Sequence, residues 1–465
     1  MTQHKESQHF NSDIEQALLN DQQHVWHHLT QHKALEQSMP IMIVSGKGMR
    51  LKDSNDKEYL DAVSGAVWTV NVGYGRERIA KAVYDQSIKM NFIAGSMGNL
   101  PAAIYSDMIT QVMPGMNRVY YSNSGSEANE KGYKIVRQIA HHKYGGKKHK
   151  ILYRDRDYHG TTITALSTSG QEQRKDQYGP FTPGFVQFPS CDTYRSPDSQ
   201  DECAIKSISA LEQIILDEDP DTIGSIILEP ITAGGGVLLP PEGYLPMVSE
   251  LCKKYGILLH MDEVVCGLGR TGKWFGYQHY GIQPDIVTMA KGVASGYAAI
   301  SCTVTTEDVF NEFKKHPDDP LDYFRDISTF GGCTAGPTAA IENMKIIQEE
   351  NLLENVTNVG NYALEKMREL KDQFNIIGDV RGKGLFLGIE LVKDRDSKEP
   401  VDESVVAGIA ADCMQQGVII GRTNRSFATL NNTICLAPAL IATNDDIDEI
   451  MSAIGNALGR LEKNS

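Results

Sequence analysis

No apolar run in the 465-residue sequence approaches the roughly 20 residues needed to span a bilayer. The segment from Met1 to about Asn20 is polar and lacks the apolar core of a secretory signal. Basic residues are also few, with 45 lysines and arginines against 60 aspartates and glutamates. This excess argues against nucleic acid or an anionic membrane as a partner, but it does not repel small anions. We therefore expect a cytoplasmic protein that acts on small molecules.

Cysteine is sparse, with eight scattered residues and no C-x-x-C pair. In a chain of this length, such cysteines indicate reduced thiols and no metal site or disulfide framework. A G-x-G-x-x-G turn after an early strand is absent as well, which argues against an NAD-binding domain.

Short apolar runs alternate with helix-period segments between about residues 73 and 330. Segments such as Glu127–Tyr144 and Tyr244–Tyr255 have the helical period, and turn residues bound the apolar runs. This alternation predicts an α/β fold with a mainly parallel sheet flanked by helices. The predicted strands are Arg118–Tyr121, Ile151–Tyr153, Ile223–Leu228, Ile257–Met261 and Ile286–Met289.

The chain ends have other patterns. Residues 1–24 form a polar arm or a first helix laid on a partner, and residues 41–60 alternate as a short antiparallel meander. A long helical stretch, Thr338–Leu370, is interrupted near Asn351. We expect an N-terminal arm with part of a small domain at 1–72, a large domain at 73–335 and a C-terminal small domain at 336–465.

One segment, Asn123–Ala128, follows a predicted strand and opens a helix. A helix N-terminus carries roughly half a positive charge, and small residues leave backbone N–H groups free, so Ser124, Gly125 and Ser126 could bind a phosphate. Serine and asparagine also cap ordinary helices. Taken alone, the segment leaves both interpretations open.

Two charged residues stand where buried strands end. Asp262 follows Ile257–Met261; a carboxylate there could cap a helix or hold a heteroaromatic nitrogen protonated. Lys291 follows Ile286–Met289, where an ammonium is costly unless it is neutralised or used covalently. Together with the phosphate segment, these residues predict a pyridoxal 5′-phosphate site.

The sequence resembles the class III aminotransferases, a group of the fold-type I pyridoxal phosphate enzymes. The similarity extends from about Trp26 to Ile454. The motifs that carry it are Ser124-Gly125-Ser126, Tyr158-His159-Gly160, Glu229-Pro230, Asp262-Glu263-Val264, Gly267 to Gly272, Asp285 with Lys291, and Thr329-Phe330-Gly331-Gly332.

The resemblance implies a large domain with a mainly parallel mixed sheet and a smaller α+β domain built from both chain ends. It also implies that Lys291 holds the cofactor as a Schiff base and moves the proton, while Asp262 pairs with the ring nitrogen. Thr329 is expected to reach the phosphate from the neighbouring subunit, in a homodimer or a dimer of dimers. The cofactor-binding residues implied are Ser124, Gly125, Ser126, Tyr158, His159, Glu229, Asp262, Val264, Lys291 and Thr329.

Two positions at which members of the family differ from one another bear on the substrates. Members that use 2-oxoglutarate usually carry a glutamate five positions after Glu229, where this chain has Gly234, which favours pyruvate as acceptor. The segment Gly65–Gly75 is similar to that of enzymes that pair ω-amino acids with pyruvate, in which the tryptophan, here Trp68, walls the substrate pocket. The other interpretation of Trp68 is a core residue.

Further segments, among them Val25–Lys33 and Tyr323–Thr329, are similar to members that use taurine with pyruvate. The resemblance implies taurine as donor, with sulfoacetaldehyde and alanine as products. Arg422 is the first candidate for the anionic head group and Arg425 the second, with Tyr158 and Trp68 as further substrate contacts. A broader ω-amino acid or amine aminotransferase, acting on β-alanine, 4-aminobutyrate or simple amines with pyruvate or 2-oxoglutarate, stays open as the alternative.

Overall fold

The computed structural model describes residues 2–36, 40–315 and 318–464. None of the helices in these ranges combines the length and the apolar character that a membrane crossing requires. In chain order, the helices are α1 (Thr2–His24), α2 (His32–Leu35), α3 (Glu77–Lys89), α4 (Leu100–Gln111), α5 (Gly125–Tyr144), α6 (Ile163–Ser167), α7 (Glu172–Lys175), α8 (Gln200–Asp217), α9 (Tyr244–Tyr255), α10 (Glu307–Asn311), α11 (Ala335–Glu349), α12 (Leu352–Gln373), α13 (Glu403–Gln415) and α14 (Asn444–Asn464).

The strands form three sheets. In chain order, they are β1 (Ile43–Lys47), β2 (Arg50–Asp53), β3 (Glu58–Asp61), β4 (Met116–Ser122), β5 (Lys150–Arg154), β6 (Phe185–Phe188), β7 (Ile223–Leu228), β8 (Leu258–Asp262), β9 (Ile286–Met289), β10 (Ser301–Thr306), β11 (Ile377–Lys383), β12 (Phe386–Asp394), β13 (Glu399–Pro400), β14 (Val418–Ile419), β15 (Gly421–Arg422) and β16 (Thr433–Leu436).

The largest sheet has seven strands in the order β4-β10-β9-β8-β7-β5-β6. Strands β5 to β9 pair in parallel, whereas β10 is antiparallel to both of its neighbours. The mainly parallel sheet is therefore confirmed, and each predicted strand lies in it. Strand β7 is buried along its whole length, as its unbroken apolar run predicts.

Strand β10 is antiparallel to both β4 and β9, so β4 runs in the same direction as the parallel strands. Strands β4, β5, β7, β8 and β9 therefore all end at one edge of the sheet. The parallel arrangement brings the segments that follow these strands together, and ligands bind at such an edge. Asp262 ends β8, Glu229 follows β7, and Lys291 lies two residues after β9. Helix α5 begins at the same edge, three residues after β4.

The two chain ends join in a second sheet, of order β1-β2-β3-β14. The predicted meander is confirmed, and β14 adds to it in parallel, with Val418 opposite Leu60. A third sheet contains β11, β12, β15 and β16. The break near Asn351 is also confirmed, because this residue separates α11 from α12 with φ of 50°. The boundaries proposed for the domains stay a prediction.

Candidate active site

A cavity of about 640 Å³ opens at the carboxyl edge of the large sheet. It brings together most of the residues that the sequence singled out, although Thr329, Arg422 and Arg425 do not line it. The predicted residues in its wall are Trp68, Ser124, Gly125, Ser126, Tyr158, His159, Glu229, Asp262, Val264 and Lys291.

Lys291 stands in a strained backbone conformation, with φ of 43°. The loop is held by Asn343, whose Nδ2 donates to the carbonyl oxygens of Gly292 (2.8 Å) and Val293 (3.0 Å). Burial lowers the pKa of Lys291, although Asp262 and Glu229 act in the opposite direction. A lowered pKa leaves a larger fraction of the amine unprotonated, which is the form that attacks a carbonyl.

The carboxylate of Asp262 is buried, and both of its oxygens take part in hydrogen bonds. Its Oδ2 shares a 2.7 Å hydrogen bond with His159 Nδ1 and accepts one of 2.8 Å from Asn129 Nδ2, while Oδ1 accepts from the backbone N–H of Val264 at 3.0 Å. Burial raises the pKa of Asp262, but these hydrogen bonds, led by that of His159, hold it below its usual range. The site therefore presents a stable negative charge to the cavity.

The segment Ser124–Ser126 forms a cradle at the N-terminus of α5. Ser124 is the N-cap, and its Oγ accepts from the N–H of Glu127 at 3.2 Å, so the capping interpretation holds. A Cβ at Gly125 would lie 3.1 Å from Val264, and one at Gly160 would collide with Ser126 Oγ. The glycines keep the backbone N–H groups accessible at the positive end of a 20-residue helix, which suits a phosphate.

Glu229 fixes the position of Tyr158. Its Oε1 accepts from the N–H of Tyr158 at 2.9 Å, and its Oε2 accepts from that of Ala233 at 3.1 Å. Burial and the neighbouring Asp157 raise the pKa of Glu229 well above its usual range. Asp157 in turn accepts from the N–H of Glu229 and from Arg154, so the whole loop is tied to the end of β5.

Trp68 ends a distorted segment, Ser64–Trp68, in which Ser64, Ala66 and Trp68 have positive φ. The Trp68 ring packs edge-on against Phe386, with 5.8 Å between the ring centroids. Its centroid also lies 5.8 Å from Lys291 Nζ. Trp68 thus lines the cavity close to the amine, and its role as a wall of the substrate pocket stays a prediction.

The two predicted arginines have partners away from the cavity. Arg422 pairs with Glu403 (3.1 Å), and Arg425 donates to the carbonyl oxygen of Leu29 (2.5 Å). Thr329 lies in an exposed turn outside the cavity.

Sequence reasoning missed Arg174, in α7. Burial raises the pKa of the Tyr158 hydroxyl, and the positive charge of Arg174 opposes this rise. Burial also lowers the pKa of Arg174 itself. Its Nη2 donates to the carbonyl oxygen of Asn424 at 2.9 Å, while its buried Nε has no acceptor among the described residues. No sequence motif marks this residue, because its place beside Tyr158 arises only from the packing of α7 against the loop between β15 and β16.

The second missed residue is Asn129, on the first turns of α5. Its Oδ1 accepts from Thr288 Oγ1 at 2.6 Å, which leaves Nδ2 free to donate to Asp262 and to the carbonyl oxygen of His159. The one signal in the sequence is an amide four residues after Gly125, on the helix face that packs on the sheet.

Comparison with known families decides the class of enzyme. The family described as Aminotransferase class-III matches residues 32–458. The chain belongs to the class III aminotransferases. This class depends on pyridoxal 5′-phosphate, and the fold-type I expectation is confirmed with it.

Known relatives of the aminotransferase match it over nearly its whole length. A hypotaurine/taurine–pyruvate aminotransferase of Paracoccus denitrificans is 62% identical over 97% of this chain and 98% of the relative. A taurine–pyruvate aminotransferase of Rhodobacter capsulatus is 60% identical over the same shares. The crystal structure of a Bacillus anthracis aminotransferase superposes with a TM-score of 0.93 at 37% identity, covering 97% of this chain and 99% of that one.

The residues of the cavity fit the cofactor of this class. The cradle at Ser124–Ser126 would hold its phosphate, Asp262 its ring nitrogen, Tyr158 and Val264 its two faces, and Lys291 its aldehyde carbon. When bound, the cofactor withdraws electrons from the carbon that bears the amino group.

An Asp262→Asn substitution tests the charge at the end of β8. An amide cannot hold the ring nitrogen protonated, so we expect the variant to keep the cofactor but to lose at least about a thousandfold in turnover. Single-turnover kinetics with the cofactor-loaded enzyme measure the loss.

The matched control is Asp285→Asn, since Asp285 is a partly buried aspartate at the opposite end of β9 from Lys291, where it accepts from the N–H of Leu259. We expect the control to stay within about threefold of the wild-type rate. A loss of less than about tenfold in Asp262→Asn, roughly 1.4 kcal/mol, would assign the protonation to another residue.

Proposed function

We propose that this aminotransferase moves the amino group of taurine to pyruvate and so produces sulfoacetaldehyde and alanine. The observation that carries the proposal is the identity of about 60% over nearly the full length of relatives named as taurine–pyruvate aminotransferases. Two features of the structure support it independently, namely the surroundings of Gly234 in the cavity wall and the position of Arg174, which does not line the cavity itself but acts on Tyr158, a residue of its wall.

The residues of the cavity have two kinds of role, because some stabilise charge and one transfers a proton. The anionic Asp262 would keep the ring nitrogen of the cofactor protonated, and the N–H groups at the start of α5 would hold its phosphate. The Lys291 amine lines the same cavity and has a lowered pKa, so it would act as the base that moves a proton from the substrate carbon. Trp68 and Tyr158 confine that carbon to the space between them.

Gly234 supports pyruvate as the acceptor. It lines the cavity, and a Cβ there would lie 2.8 Å from Gln171 Nε2, so a longer side chain would have to displace Gln171. The position therefore offers no carboxylate to which a movable arginine could retreat. The smaller oxo acid, which has a single carboxylate, is the acceptor that this wall favours.

Arg174 is our candidate for the anionic head group, ahead of Arg422 and Arg425. A sulfonate presents three acceptor oxygens, and an arginine with unused N–H groups can reach two of them. The Nε of Arg174 has no acceptor within the described part of the chain, whereas Arg422 is paired with Glu403 and Arg425 with a backbone oxygen. The other two arginines would contribute positive potential from the rim.

Substituting each arginine in turn tests this assignment. Arg174→Ala should raise KM for taurine and for pyruvate by about tenfold or more, with little change for an uncharged donor such as 1-phenylethylamine. Arg422→Ala and Arg425→Ala should change these constants by less than about threefold. Steady-state alanine formation gives the constants.

Arg137→Ala serves as the matched control, because Arg137 is also partly buried and bonded to a backbone oxygen, that of Pro183. If Arg174→Ala affects charged and uncharged donors alike, the head group binds elsewhere. If the wild type prefers 2-oxoglutarate, the argument from Gly234 fails.

We further propose that the active unit is a homodimer in which Thr329 serves the partner's cradle. The turn that contains Thr329 exposes Ile327 (85%) and Phe330 (66%), an unusual display of large apolar side chains. The N–H of Ile93 donates to the carbonyl oxygen of Gly332 at 3.2 Å, which joins this turn to the exposed segment that contains Met97. A contact between two copies would bury this surface.

Phe330→Asp should therefore weaken association and cofactor retention together, because a carboxylate in the interface is costly to desolvate. Sedimentation velocity and the visible absorbance of the bound cofactor measure the two effects. Ile205→Asp, at an exposed isoleucine of α8, should alter neither. A wild-type monomer with full activity at assay concentration would contradict the proposal.

A further inference from the structure

Arg270 lies within the glycine-rich motif after Asp262. By volume, it is the largest completely buried side chain among the described residues. Its guanidinium donates to the carbonyl oxygens of Leu385 (3.1 Å) and Pro438, and to Ser64 Oγ and Asn71 Oδ1 at 3.2 Å each. All four acceptors are uncharged. Burial lowers the pKa of Arg270 to about 10, although the negative charge of Asp61, which is not a hydrogen-bond partner, acts in the opposite direction. A buried cation with only neutral acceptors is costly, so its presence requires an explanation.

Two of the acceptors flank the Trp68 segment in sequence. Ser64 begins the distorted segment Ser64–Trp68, and Asn71 follows it by three residues. Asn71 also donates through Nδ2 to the carbonyl oxygens of Leu268 (2.8 Å) and Gly292 (3.4 Å). Gly292 directly follows Lys291, so one amide side chain joins Arg270 to the loop that carries the amine.

The other two acceptors are chain neighbours of residues that contact the Trp68 segment. Leu385 directly precedes Phe386, the residue whose ring packs on Trp68. Pro438 follows Ala437, whose carbonyl oxygen accepts from Ser64 Oγ at 2.6 Å. One guanidinium therefore bonds to both ends of the Trp68 segment and to the chain that supports the ring.

We propose that Arg270 is a positioning residue that fixes Trp68 above the Lys291 amine and thereby sets which donors the cavity accepts. The proposal rests on the proposed function, since it takes Trp68 to be a wall of the substrate pocket. The backbone of Ser64–Trp68 adopts positive φ at several residues other than glycine, and this conformation persists only if its surroundings hold it. The planar, forked guanidinium can meet four acceptors in different directions, which the point charge of a lysine cannot.

A double-mutant cycle tests the proposal. Arg270→Lys should raise the donor KM by about tenfold while kcat changes by less than about threefold. In a Trp68→Phe background, the same substitution should change KM by less than about twofold, because the ring on which it acts is already altered. Additive effects in the cycle would overturn the proposal and leave Arg270 with a structural role only.

The matched control is Arg395→Lys. Like Arg270, Arg395 donates to uncharged acceptors, here the backbone oxygens of Lys371, Phe374 and Ile377, and it lies outside the cavity wall. We expect this control to leave both constants unchanged. Equal losses in the two lysine variants would contradict a specific role for Arg270.

Ser64→Ala provides a milder test, should Arg270→Lys fail to fold. It removes one acceptor of Arg270 and the hydrogen bond to Ala437, and it should raise the donor KM in the same direction. An unchanged KM in Ser64→Ala would count against the proposal.

A second readout does not depend on activity. The chain has three tryptophans, so protein labelled with 5-fluorotryptophan gives three ¹⁹F signals, which single substitutions assign. In the cofactor-free protein, Arg270→Lys or Ser64→Ala should shift or broaden the Trp68 signal and leave that of the exposed Trp26 in place. An unmoved Trp68 signal would overturn the proposal.

If the wild type prefers a donor other than taurine, the proposed function fails, but the same cycle can be run with that donor. The two failures are therefore distinguishable.

Discussion

The carboxylate of Asp262 is the interaction on which the rest of the site depends. Ionising a buried carboxylate costs several kcal/mol unless donors replace the lost water. Here three donors do so, from His159, Asn129 and the backbone of Val264, and each comes from a different part of the fold. The helix α5, the loop after β5 and the loop after β8 must therefore come together before the charge is stable.

These same elements also supply the other parts of the cavity. Helix α5, which carries Asn129, begins at the phosphate cradle, and the loop that carries His159 also carries Tyr158. Glu229 holds the Tyr158 loop from the end of the adjacent strand. A change that loosens one of these contacts consequently affects charge, phosphate binding and ring position together, which is why the site behaves as a unit.

Much of this architecture could be predicted from the sequence, because buried parallel strands appear as continuous apolar runs and their carboxyl ends share an edge. Lys291 and Asp262 were recognisable because charged residues are rare at the ends of such runs. Strand β10 was missed because Ser301–Thr306 is rich in threonine and lacks an apolar run, although most of it is buried. Strand β6 was missed because it is a short edge strand of four residues in which apolar and polar side chains alternate only weakly.

Residues that act through tertiary contacts gave no comparable signal. Arg174 lies in no motif, and the motif that contains Arg270 does not indicate what its side chain contacts. Only packing shows that Arg174 has an N–H without an acceptor among the described residues and that Arg270 bonds to four neutral acceptors. The family resemblance implies Arg422 and Arg425 as candidates for the anionic head group, yet both have partners outside the cavity. Spacing along the chain does not determine the direction in which a long side chain points.

Chemical trapping at Lys291 tests the central claim most directly. Borohydride reduction of the cofactor-loaded enzyme, followed by proteolysis and mass spectrometry, identifies the lysine that is bonded to the cofactor. We expect the pyridoxyl mass on the peptide that contains Lys291, and loss of the visible absorbance on reduction. A pyridoxyl group on another lysine, with Lys291 unmodified, would contradict the account of the site.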